Sequence, residues 1–96
     1  MPDEVEIAMG FILDKLKDSS TMVRWAAAKG VGRLTDRLPS IGADDVLEAL
    51  MEMFVDRGAD QAWHGACLAL AELARRGLLL PHRLSQLVPM LSLIHI

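Results

Sequence analysis

A chain of 96 residues with a formal net charge of −3 lacks the strongly basic stripe that nucleic-acid binding demands. Its hydrophobic content of 52 % is high for so small a domain, whose surface is large for its volume, so some faces are expected to be covered by neighbouring repeats of a larger protein. One cysteine, Cys67, excludes an internal disulfide and fits a reducing compartment, and no run approaches the ~18 consecutive apolar residues of a membrane-spanning helix.

The opening Met1-Pro2-Asp3-Glu4 is acidic and has no apolar core behind it, unlike a signal peptide. Val5, Met9, Ile12 and Leu16 then recur at helical steps and predict an amphipathic helix ending near Asp18. Ser19-Ser20-Thr21 supplies an N-cap for a second helix, running to about Leu38 before Pro39. A third begins around Ala43, with Asp44 and Asp45 in its first turn and Val46, Leu47, Leu50, Met53 and Phe54 on its apolar face; Gly58 ends it. Asp60 caps a fourth that reaches Arg76 and stops at Gly77. Pro81 opens a fifth with Leu84, Leu87, Val88 and Leu91, kinked at Pro89.

The second and fourth helices echo each other. Val23-Arg24-Trp25-Ala26-Ala27-Ala28-Lys29-Gly30-Val31-Gly32-Arg33-Leu34 and Ala62-Trp63-His64-Gly65-Ala66-Cys67-Leu68-Ala69-Leu70-Ala71-Glu72-Leu73 both set small residues at helical spacing, with a Trp near the start. Recurrence at a period of about 40 residues marks a helical solenoid. The predicted fold is therefore all-α: an α-solenoid fragment of about two and a half helical hairpins. Repeat 1 covers about 4–38, repeat 2 about 43–76, and the start of repeat 3 about 81–90. Leu91-Ser92-Leu93-Ile94-His95-Ile96 resembles the translation of a transposon end used in library preparation, so 91–96 is expected to be a non-native tail; the competing reading is an ordinary apolar helix end.

Asp18, Val23-Arg24, Ala27, Gly30-Val31-Gly32 and Leu34 resemble the B-helix pattern of HEAT repeats, with Gly30 where Ala is usual and Val31 where Leu is usual. Leu87-Val88-Pro89-Met90-Leu91 is similar to the proline-kinked A-helix of the same repeats. More narrowly, the two tryptophan-bearing runs, Arg37-Leu38-Pro39, Ala43-Asp44-Asp45-Val46 and Arg75-Arg76-Gly77-Leu78-Leu79-Leu80-Pro81 resemble the tubulin-folding cofactor D family, over about two thirds of the chain. That resemblance implies a cytoplasmic, cytoskeleton-associated chaperone that captures β-tubulin and helps assemble and dismantle the αβ-tubulin dimer. It also implies work beside tubulin-folding cofactors C and E and an Arf-like small GTPase, and stimulation of tubulin's GTPase. Periodicity alone supports a generic HEAT scaffold, such as a phosphatase or transport adaptor.

On a helical wheel Val23, Ala27, Gly30, Leu34 and Leu38 share one face of the second helix; Trp25, Lys29, Gly32 and Asp36 fall opposite, with Arg33 and Arg37 on the flank. His64 takes the place of Trp25 in the fourth helix. If such helices line the inner curve, Trp25, Lys29, Arg33, Arg37 and His64 are candidate protein-binding residues, an aromatic anchor among cations. The competing reading packs Trp25 on the preceding repeat and leaves the cations solvated. Arg24 is expected to pair with a turn carboxylate such as Asp18. The fourth helix, apolar nearly all round, is expected to be buried on every side.

No enzyme is expected, because no nucleophile, acid–base pair or metal set converges. His64 and Cys67 could share a metal, but a structural zinc site needs further ligands, and His82 and His95 lie beyond the next turn. An iron-hydroxylase reading fails because Gly65, not an acid, follows His64. Lys29-Gly30-Val31-Gly32 lacks the strand and the Lys-Ser or Lys-Thr of a phosphate loop, so its glycines are expected to allow close approach to the paired A-helix. No cofactor is expected.

Overall fold

A computed structural model of the chain describes residues 3–55 and 60–79. These form four helices and no strand: α1 (Asp3–Lys15), α2 (Thr21–Asp36), α3 (Ser40–Val55) and α4 (Asp60–Arg75). The fifth helix predicted from Pro81, Gly58, the histidines at 82 and 95, and the tail at 91–96 lie outside the described residues.

The helix ends follow local chemistry. Past Lys15 the amides of Leu16, Lys17 and Asp18 donate to carbonyls three residues back (Leu13, Asp14 and Lys15, at 3.2, 3.1 and 3.2 Å), so the α-helix tightens and stops three residues before Asp18. Ser20 caps α2, its hydroxyl accepting from the Val23 N–H at 3.4 Å. At the other end Arg37 and Leu38 donate to Leu34 and Thr35, again three residues back, and α2 stops at Asp36 rather than Leu38. Pro39 does more than stop a helix. Its carbonyl accepts from the Ala43 N–H at 3.1 Å, so α3 starts at Ser40 and Asp44 and Asp45 fall past its first turn. Gly77, at φ +72°, closes α4: its N–H donates to Ala74 and that of Leu78 to Leu73, the paired bonds of a Schellman end.

α2 and α4 share the most extensive packing; α1 lies on α2, α3 on α4, and α2 also touches α3. The core joins Met9, Leu16, Val31, Leu50, Phe54 and Leu73 with alanines of α2 and α4, whose small side chains let the two helices approach. Val46, Leu47, Leu50, Met53 and Phe54, the apolar face predicted for α3, are all buried. Trp63 closes the α3–α4 hairpin, its indole N–H donating to the Phe54 carbonyl at 3.1 Å and its ring meeting Phe54 edge-on at 5.4 Å.

Three expectations are corrected. The buried strip of α2 is Arg24, Ala27, Ala28, Val31, Gly32 and Thr35, rotated from the predicted face because α2 packs against α1 on one side and α4 on another. Gly32 thus faces α4, not an A-helix or solvent: a Cβ there would lie 2.6 Å from Glu72 Cγ and 2.8 Å from Arg76 Nε. Gly30 does face α1, at ordinary contact distance from Ile12. α4 is buried on one side, through Ala62, Gly65, Ala66, Ala69, Glu72 and Leu73, while Gln61, His64, Cys67, Ala71, Ala74 and Arg75 are exposed. Its closest approach is at Gly65, where a Cβ would come within 1.9 Å of the Leu16 carbonyl oxygen.

Candidate partner-binding groove

The turn before α2 organises the site. Asp18 Oδ1 accepts from the Ser20 N–H at 2.8 Å, so this carboxylate holds the turn and not Arg24, correcting the expected pair. Arg24, buried, instead donates through Nη1 to the Asp18 and Ser19 carbonyls (2.7 and 3.2 Å) and through Nη2 to Thr21 Oγ1 (3.1 Å). A chain reversal leaves carbonyls without helical donors, and a planar guanidinium can serve several at once. Its Nε donates to His64 Nδ1 at 3.1 Å, joining the start of α2 to the start of α4. Accepting at Nδ1 requires the neutral imidazole with its proton on Nε2, which leaves Nε2–H as the ring's donor to the outside.

From this anchor α2 and α4 run on together, and a groove of about 190 Å³ opens between them. Trp25, Ala28 and Lys29 line one wall; Leu68, Ala71, Glu72 and Arg75 line the other. Trp25 is 52 % exposed, with Lys29 exposed one turn on. Arg33 and Arg37 are exposed further along α2 but do not line the groove, and His64 is exposed near its head, tied to Arg24. The structure therefore brings Trp25 and Lys29 together and sets Arg33, Arg37 and His64 outside the cleft.

Ala28, Leu68, Ala71, Glu72 and Arg75 are the lining residues that reading the sequence missed. The register that equates His64 with Trp25 also equates Leu68, Ala71 and Arg75 with Lys29, Gly32 and Asp36, so carrying the whole stripe forward would have found those three.

Glu72 sits at the foot of the groove, 7 % exposed. Arg76 Nε donates to its Oε2 at 2.8 Å and Arg75 Nη2 to its Oε1, while Arg76 Nη1 reaches Asp36 Oδ2 at 3.5 Å. The Arg76 hydrogen bond above all, with Arg75 in support, outweighs burial and holds the Glu72 carboxyl below the usual range. Gly32 gives this pair its room. With Glu72 paired to Arg75 and Arg76, Lys29 is left as the lining cation outside an ion pair among the described residues, and the floor is apolar.

Cys67 is exposed, with partial burial of its sulfur pushing the thiol pKa up, away from thiolate chemistry. Among the described residues no group of three or more His, Cys, Asp or Glu side chains could hold a metal ion, and no helix is long and apolar enough to cross a membrane. A cationic rim, a half-exposed indole and an apolar floor are suited to binding a protein surface.

Residues 1–94 match the family described as tubulin-specific chaperone D-like, ARM repeats. The chain is 49 % identical over 80 residues to the tubulin-specific chaperone D of Dictyostelium discoideum, covering 78 % of this chain and 5 % of that protein. It is 28 % identical over 102 aligned positions to the tubulin-folding cofactor D of Schizosaccharomyces pombe, covering 92 % of this chain and 9 % of that one. No solved structure matches significantly. The chain thus spans less than a tenth of the length of these curated relatives.

Proposed function

The chain belongs to the tubulin-specific chaperone D-like family of armadillo-repeat proteins, and from that membership we propose that it is a segment of a tubulin-folding chaperone whose α2–α4 groove engages β-tubulin. The whole protein would help assemble and dismantle the αβ-tubulin dimer and stimulate tubulin's GTPase, acting in the cytoplasm beside cofactors C and E and an Arf-like small GTPase. Its role is that of a non-enzymatic chaperone. The observation that supports the reading is the half-exposed Trp25 over an apolar cleft rimmed by Lys29 and Arg75. Tubulin presents an acidic surface. Cations on the chaperone would steer the encounter and fix orientation, while a desolvated indole would supply affinity.

The test uses the full-length protein carrying Lys29→Glu and Arg33→Glu. Both side chains are exposed, so folding should be unchanged. Capture of β-tubulin is expected to weaken by about tenfold and to lose much of its salt dependence. Unaltered capture by the folded variant would remove this face from the interface.

A further inference from the structure

A second groove lies away from the one assigned above. Among the described helices α1 and α3 make no close backbone approach, and the gap between them holds two adjoining lobes of about 430 and 310 Å³ that share Gly10 and Leu13. Met9 and Leu13 of α1 and Val46 and Met53 of α3 give it an apolar floor. Its rim is acidic: Glu6 and Asp14 on one side, Asp45 and Glu52 on the other, with Lys17 the cation among the described lining residues. The four carboxylates are exposed and none forms an ion pair among the described residues. A Cβ at Gly10 would meet nothing within 4 Å, so the floor there is open.

We propose that the α1–α3 groove docks an amphipathic helix of a partner protein, one whose narrow apolar ridge is flanked by Lys or Arg. The stretch of α1 from Glu6 to Lys15 is about 14 Å long at 1.5 Å per residue, which fits about two and a half turns of a bound helix. Helix-in-groove recognition needs an apolar ridge to fill the floor, and here unpaired carboxylates line both sides of that ridge. They disfavour an acidic helix and orient a basic one. The site lies on the other helix pair from Trp25, so it stands or falls separately from the tubulin reading.

The probe is a labelled helical peptide of about 14 residues, leucine along one face and lysine on both flanks, titrated against the full-length protein by anisotropy. A glutamate-flanked twin is the control. The lysine peptide should bind, the glutamate peptide should not, and Trp25→Ala should change nothing. Asp45→Lys with Glu52→Lys should weaken binding at least about tenfold through charge repulsion. Gly10→Phe, which sets a ring on the open side of α1 where an added Cβ meets nothing within 4 Å, should weaken it comparably in a variant whose melting temperature is not lowered. No binding of the lysine peptide overturns the proposal, as does equal binding of the twins or indifference to Gly10→Phe. So would a photo-crosslinker at position 10 that reacts with the protein's own neighbouring repeats, because the groove is then already filled.

Discussion

Glu72 shows how much a single side chain here depends on its partners. Burial pushes the pKa of this carboxylate up, yet the hydrogen bond from Arg76 above all, with Arg75 beside it, holds it below its ordinary value of 4.5. Because the folded-state pKa lies below the unfolded one, the charged pair stabilises the fold fully above that ordinary value. The contribution is lost as pH falls through the lowered value. Glu72→Gln should therefore cost on the order of 1–2 kcal/mol near neutral pH, by removing the charge and turning an NH2 donor toward one of the two guanidinium groups. The gap in melting temperature between wild type and variant should hold above that ordinary value, narrow as pH falls below it, and close once pH has passed the lowered one. A gap that ignores pH would show that Glu72 acts through shape alone. The pair was not legible in the chain, because Gly32, which makes room for it, reads in isolation as a glycine facing solvent or the A-helix and not α4.

At the scale of elements, the order of the four described helices was legible because punctuation is local. Ser20 and Gly77 act where they stand, and an alanine- and glycine-rich helix announces close packing whatever it packs on. What could not be read is which strip of α2 turns inward, since that depends on having α1 and α4 on two sides at once. The groove is a second case: Leu68 and Arg75 gain meaning only when α4 is laid beside Trp25. Gly65 sets how closely α4 can lie. Its added Cβ would strike a backbone carbonyl, which cannot swing aside as a side chain can. Gly65→Ala should cost about 2 kcal/mol through overpacking, despite the ~1 kcal/mol that alanine returns in helix propensity. Gly10→Ala, with open space around it, should stabilise α1 by up to about 1 kcal/mol. Amide exchange in the full-length protein reads both: α4 should exchange faster in the first variant and α1 more slowly in the second. The same response from both substitutions would mean that the 65–16 approach does not set the packing.

At the scale of the whole molecule, the chain spans 5 % and 9 % of the length of two curated relatives. Ile7 and Phe11 of α1 and Met22 at the start of α2 are 72, 63 and 83 % exposed, a quantity of apolar surface that stacked repeats ordinarily cover. The same stacking could cover Trp25, and that is where the functional account is most exposed to test. Oxidative footprinting of the full-length protein, free and with β-tubulin bound, measures the accessibility of that indole directly. The account predicts that Trp25 oxidises readily in the free protein and is protected in the complex, while Phe11 is unchanged. A Trp25 that is shielded already in the free protein, or equally reactive in both states, would contradict it.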